Sequence, residues 1–176
     1  MTTSRPDSRR PVEISTAVLA DPVHCLALGF GAGLAPFAPG TFGTLLGWAM
    51  FLVMYEWLSP LVIAYLAIPL FFLGIWACDV TGRHLGVQDH GSMVWDEVVA
   101  FMPLAALASA SLAMQLVAFG LFRLFDIWKP FPIRHFERNV KGGFGVMLDD
   151  LIAASYAYVG IILLTVAGHK LLRTMT

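Results

Sequence analysis

Between Val98 and Phe122 the chain carries no Asp, Glu, Lys or Arg for 25 residues, yet charged segments flank this run on both sides. Fourteen of the 23 formal charges fall within residues 79–97 and 123–150. An apolar run of this length can cross a bilayer, which takes about 17–25 residues. A single crossing would put the two charged segments on opposite faces. Charges gathered at the edge of an apolar body suggest one polar site, and sharing that site requires Val98–Phe122 to go in and come back. Its middle, Ala108-Ser-Ala-Ser-Leu112, offers small polar residues where the chain can turn, and each half is about three helical turns. Ser59-Pro60 offers a similar reversal between the apolar segments Phe42–Leu58 and Leu61–Cys78.

The composition requires an apolar environment. Of the 176 residues, 58% are hydrophobic and 13% charged, against about 25% charged in a soluble domain. Such a chain lacks the polar surface to cover itself in water, so part of it faces lipid or a partner. Disorder and a disulfide-stapled module are excluded, and a net charge of −1 gives no basic surface for nucleic acid. Cys25 and Cys78 belong to no metal or redox spacing. A fourth apolar segment runs from Leu151 to Gly168. The expected fold is all-α: a polar extension over residues 1–20, then one compact helical membrane domain over 21–172 built from helical hairpins. The Gly- and Pro-rich run 31–43 is expected as a buried or interfacial loop before a helix starting near Thr41. That loop, residues 79–97 and residues 123–150 share one face. The basic residues Arg123, Lys129, Arg134, Arg138 and Lys141, with the Arg-rich N-terminus, assign this face to the cytoplasm.

Two acid pairs, Asp96-Glu97 and Asp149-Asp150, each precede an apolar helical run. Neighbours on a helix diverge by about 100°, so one acid of each pair can face a shared centre while the other serves a second role. Carboxylates gathered at a membrane edge repel unless a cation sits among them, and an oxygen-only donor set suits Mg²⁺. The same acids also suit helix N-termini through the macrodipole. Asp126 follows Arg123 by three residues, on the same helix face. Pro130 and Pro132 should end that helix and hold Lys129 extended. Lys129 with Arg134 and Arg138 suits a phosphate clamp and equally a belt on anionic headgroups. Lys141-Gly-Gly-Phe-Gly145 could cradle a phosphate on backbone N–H groups.

Four motifs carry a resemblance: Leu34-Ala-Pro-Phe-Ala-Pro-Gly-Thr-Phe-Gly43, Asp89-His-Gly-Ser-Met-Val-Trp-Asp-Glu97, Phe122-Arg-Leu-Phe-Asp-Ile-Trp-Lys-Pro-Phe-Pro-Ile-Arg134 and Gly142-Gly-Phe-Gly-Val-Met-Leu-Asp-Asp-Leu-Ile-Ala153. Over about residues 24–165 the chain resembles the bacterial phosphatidylglycerophosphatase A family. The resemblance implies a Mg²⁺-dependent phosphatase of the cytoplasmic membrane, hydrolysing the terminal phosphate of phosphatidylglycerophosphate to give phosphatidylglycerol. It implies catalytic roles for His90, Asp96, Glu97, Asp126, Lys129, Asp149 and Asp150. It implies phosphate contacts from Thr41, Arg123, Lys129 and Arg134, and metal contacts from Asp89, Asp96, Glu97, Asp149 and Asp150. The sequence lacks the motifs of histidine- and aspartyl-phosphate phosphatases, which leaves attack by an activated water as the simplest chemistry, with a covalent intermediate on an acid still open. Two alternatives stand beside this reading: a phosphatase for another lipid phosphomonoester such as phosphatidate, and a non-catalytic Mg²⁺-binding membrane transporter or partner.

Overall fold

A computed structural model describes residues 16–108 and 111–175. Their secondary structure is helical, with no β-strand among the described residues, as the apolar segments require. A 3-10 turn over Thr16–Ala20 leads into α1 (Pro22–Ala27), whose start is capped by the Asp21 carboxylate accepting from the Val23 N–H. The rest of the expected N-terminal extension lies outside the described residues. The Gly/Pro-rich run forms a second 3-10 turn, Gly29–Leu34, before α2 (Pro39–Tyr55). α3 (Pro60–Leu85) begins with Ser59 as N-cap and Pro60 in its first turn. It stops at Gly86, which takes the left-handed conformation at φ 68°. α4 (Trp95–Leu107) and α5 (Leu112–Trp128) follow, then the short α6 (Ile133–Asn139) and the long α7 (Gly142–Met175).

The charge-free run does reverse. α4 ends at Leu107 and α5 starts at Leu112 with Ser111 as N-cap; Ser109 and Ala110, proposed for the turn, lie outside the described residues. α2 with α3 and α4 with α5 therefore form two hairpins. They bring the start of α2, the end of α3, the start of α4 and the end of α5 to one end of the molecule. Ten of the 13 residues of α4 are buried, because α2, α3, α5 and α7 all pack around it. A helix apolar on every side belongs at the centre of a bundle. Its largest core side chains are Trp95 and Phe101, and the Phe101 ring packs on Phe119 and Phe122 of α5.

α3 and residues 142–168 of α7 are long and apolar enough to cross a membrane. Their outward residues agree: Tyr65, Ile68 and Phe72 of α3 and Val159 and Leu163 of α7 are all more than half exposed. α4, at 13 residues, is too short to span.

Two local expectations are corrected. The last helix begins at Gly142 instead of Leu151, so Gly142–Gly145 form its first turn and not a separate loop. Gly143 permits this, since a Cβ there would overlap the Ile75 carbonyl of α3. Lys129 is not extended: it caps α5 in the left-handed conformation, at φ 46° and ψ 65°. Its N–H bonds to the Phe125 carbonyl at 2.8 Å, and this closing turn sets the conformation ahead of Pro130.

The hairpin topology has a direct test. In a background without Cys25 and Cys78, single cysteines replacing the exposed Asp89 and Asn139 should label from the same side of sealed vesicles. Labelling from opposite sides would mean that residues 98–122 cross the membrane.

Candidate metal and phosphate site

The site forms where the first turn of α4 meets the third turn of α7. Asp96, Glu97 and Asp150 each offer one carboxylate oxygen, and these atoms lie within 4.8 Å of one another. Asp96 and Asp150 are 8% and 3% exposed. Asp96 Oδ1, Glu97 Oε2 and Asp150 Oδ2 are buried without a hydrogen-bond partner. An ionised carboxylate buried without a partner is strongly destabilising. Three together need protons or a cation. Burial, together with the charges of Glu97 and Asp150, pushes the Asp96 carboxyl well above its ordinary value. Burial also raises Glu97, although Asp96 and Arg123 oppose the shift. An oxygen-only set of this kind fits a hard divalent ion such as Mg²⁺.

Two groups of ion pairs adjoin the trio, one on Arg123 and one on Lys129. The Arg123 guanidinium lies 2.6 Å from Asp126 and 3.6 Å from Glu97, with all three side chains less than 15% exposed. Lys129 donates to Asp149 at 2.7 Å and to Glu137 at 3.0 Å. Burial disfavours the Lys129 charge, but these carboxylates more than offset it, so its pKa is raised. Lys129 is thus a fixed positive charge. Six acids (Asp96, Glu97, Asp126, Glu137, Asp149 and Asp150) face two cations here, an excess of negative charge that a divalent ion would partly neutralise.

The acid pairs divide their work differently. In α7 the neighbours diverge: Asp150 joins the trio while Asp149 turns to Lys129. In α4 both acids reach the centre, Glu97 also touching Arg123. Since α7 starts seven residues before Asp149, Asp149 and Asp150 are too deep in the helix to be N-terminal macrodipole charges. The remaining candidates sit outside the trio. Asp89 is exposed in the loop before α4. His90 accepts the Ser92 N–H at 3.2 Å within that loop. Thr41 lies in the first turn of α2, its N–H bonded to the Ala38 carbonyl. Arg134 is exposed on α6 and donates to the Trp128 carbonyl at 3.2 Å. With Lys129, Phe131, His135 and Arg138 it lines an open basin of about 450 Å³. His24 is structural, buried and bonded to Thr81 at 2.9 Å.

Gly40 is the site residue that sequence reasoning missed. A Cβ there would overlap Glu97 Oε1 and stand 2.9 Å from both terminal nitrogens of Arg123. Only the signal Pro39-Gly40 at the head of α2, within a motif already singled out, pointed to it.

A family model described as Phosphatidylglycerophosphatase A matches residues 25–165. The chain is 46% identical over 142 residues to Phosphatidylglycerophosphatase A of Haemophilus influenzae, covering 80% of this chain and 87% of the relative. It is 40% identical over 147 residues to Phosphatidylglycerophosphatase A of Escherichia coli, covering 82% and 84%. A protein of Bacteroides thetaiotaomicron named Putative phosphatidylinositol-3-phosphatase is 40% identical over 141 residues, covering 76% and 87%. No solved structure matches the chain.

Two outcomes are expected. Gly40→Ala should lower the unfolding free energy by about 1–3 kcal/mol, as overpacking does, while Thr41→Ala changes it little; equal stability of Gly40→Ala and wild type would contradict the contact. The second outcome concerns pH. Because the Asp96 and Glu97 pKa values are raised, the metal-free fold keeps protons that the unfolded chain releases above its ordinary values of 3.8 and 4.5. These groups therefore cost stability as pH rises, and a cation displacing the protons should raise Tm more at pH 8 than at pH 6. The gain should approach about 2.7 kcal/mol at a hundredfold excess over Kd and vanish in Asp150→Asn. A pH-independent shift, or one that survives in Asp150→Asn, would contradict the trio as the binding site.

Proposed function

Because the chain belongs to the phosphatidylglycerophosphatase A family, we propose that it hydrolyses the terminal phosphate of phosphatidylglycerophosphate, with Mg²⁺, at the cytoplasmic face of a bacterial inner membrane. The observation that carries the reading is the set of three partnerless buried carboxylate oxygens beside Arg123 and Lys129. It lies at the charged end of a bundle whose flanks suit lipid. The orientation rests on the basic residues gathered at that end.

Asp96, Glu97 and Asp150 would hold the metal, which supplies positive charge against the phosphoryl oxygens. The residues of the chain divide the remaining work. Arg123 and Lys129, each braced by two carboxylates, present fixed positive charge where the phosphoryl group gains negative charge in the transition state. The braces also orient the two cations, so little reorganisation accompanies the reaction. Hydrolysis forms a bond from water oxygen to phosphorus and breaks the bond from phosphorus to the glycerol oxygen. A site carboxylate takes the proton of the attacking water, and that proton passes through solvent water to the departing glycerol oxygen. Lys129, held strongly in its charged form, acts on this charge as a neighbour more than as the proton source. The open basin with Arg134 and Arg138 suits the approach of a phosphorylated headgroup.

The name of the Bacteroides relative supports a second reading, in which the same chemistry acts on another phosphorylated lipid headgroup. Comparing kcat/KM for phosphatidylglycerophosphate, phosphatidate and phosphatidylinositol 3-phosphate separates the readings. The reading as a transporter or non-catalytic partner expects no phosphate release from any of them.

In detergent micelles the purified protein should release phosphate from phosphatidylglycerophosphate only with Mg²⁺. Asp96→Asn and Asp150→Asn should each lose at least about a hundredfold in kcat, the scale of a lost preorganised electrostatic partner. Lys129→Ala should fall comparably, whereas exposed Arg134→Ala should chiefly raise KM. Full activity in excess EDTA would defeat the proposal, as would wild-type kcat in either acid variant.

A further inference from the structure

An apolar groove of about 370 Å³ opens between α3 and α7, floored by α4, and its polar extreme is Asp96 of the carboxylate trio. Its other walls are apolar, among them Ala67, Ile68 and Phe72 of α3, Ala100 and Pro103 of α4, and Leu151 of α7. A second hollow of about 150 Å³ shares Ala100, Pro103 and Leu151 and continues along α4 and α7 to Leu107. Near the site α3 and α7 touch closely, for a Cβ on Gly143 would overlap the Ile75 carbonyl and one on Gly74 would stand 2.6 Å from Met147 Sδ. Beyond that contact the helices leave the groove between them, with α4 as its floor. Ile68 and Phe72 are 54% and 65% exposed on the outer lip, and Leu151 is 40% exposed opposite.

We infer that this groove seats an acyl chain of the phospholipid substrate and admits the lipid sideways from the bilayer; the inference rests on the lipid-phosphatase reading above. Length supports it. From Asp96 to Leu107 α4 rises about 16 Å, close to the roughly 15 Å depth of one leaflet of hydrocarbon. Chemistry supports it further. Two adjoining hollows lead from the Asp96 carboxylate along an apolar track, so their occupant carries a phosphate at one end and hydrocarbon at the other. Its open side lies between the two helices suited to crossing the membrane, so hydrocarbon reaches it without passing through water. A helix of another protein would supply no anion at the Asp96 end. Small residues on the floor and inner wall, Ala67 and Ala100, leave the width that a chain needs.

The test compares phosphatidylglycerophosphate carrying hexanoyl chains with the same lipid carrying palmitoyl chains, both in mixed micelles. Ile68→Trp and Ala67→Leu narrow the groove, and Leu116→Trp adds the same bulk on the exposed face of α5, away from it. Excluding as few as two methylenes is worth about tenfold in binding. Both groove variants should therefore raise KM about tenfold for the long-chain lipid while leaving the short-chain KM and kcat near wild type. Leu116→Trp should change neither. Equal effects of all three variants, or no change in chain-length preference, would overturn the groove assignment. Absence of hydrolysis by the wild type would instead defeat the function on which the assignment rests. A measurement on unmodified protein covers the case in which a variant fails to fold. A substrate analogue with a diazirine on its acyl chain should label residues 67–72 and 151, competed by excess substrate; competed labelling confined to α2 or α5 would overturn the inference.

Discussion

Three carboxylates buried within reach of one another set the terms for the rest of this structure. In an interior of low dielectric their mutual repulsion and lost hydration disfavour the fold unless protons or a cation intervene. A membrane bundle would avoid such an arrangement if shape alone were at stake. The ion pairs around it follow from the same constraint. Arg123 takes Asp126 and the edge of Glu97, and Lys129 takes Asp149 and Glu137. Two of the five deeply placed acids are thereby balanced, and the other three keep buried oxygens without a hydrogen-bond partner. Which acids are paired and which are not is decided by these contacts and not by the residue types.

The fold brings those acids together by spending a helix on it. α4 is too short to cross a membrane and too buried to face one. Placed at the centre, it presents its first turn at the charged end of the bundle and its apolar remainder to every neighbour. Its return through α5 carries Arg123, Asp126 and Lys129 back to the same end. α7 supplies the other half of the site from two turns within itself, which sinks Asp150 below the surface. Close approach is needed wherever this polar end is assembled, and glycine provides it: Gly40 against Glu97 and Arg123, and Gly143 against the backbone of α3.

Much of this was legible in the sequence because charge in an apolar chain is costly and must be justified. The uncharged run between two charged segments required the reversal that α4 and α5 make. The spacing of Arg123 and Asp126 placed them as the pair they form, and the two acid pairs supply the three carboxylates that come together. Other features depend on tertiary contact. That Asp150 joins the trio while Asp149 pairs with Lys129 follows from the rotation of α7 about its axis, which packing against α3 and α4 sets. The early start of α7 was hidden because glycines read as a loop, although they form a helical turn pressed on α3. The left-handed Lys129 was hidden for a related reason: the closing turn of α5 overrides the extended preference of a residue before proline. Gly40 matters only through what its missing side chain leaves room for, and composition does not record that.

The central claim is that one divalent cation belongs among Asp96, Glu97 and Asp150 while Asp149 stays with Lys129. Anomalous scattering from crystals of the full chain grown with Mn²⁺ as a Mg²⁺ substitute measures this directly. The account predicts a peak bounded by one oxygen from each carboxylate of the trio, with the Lys129–Asp149 pair intact. A peak held instead by Asp89 or Asp149, or none at a saturating Mn²⁺ concentration, would contradict it.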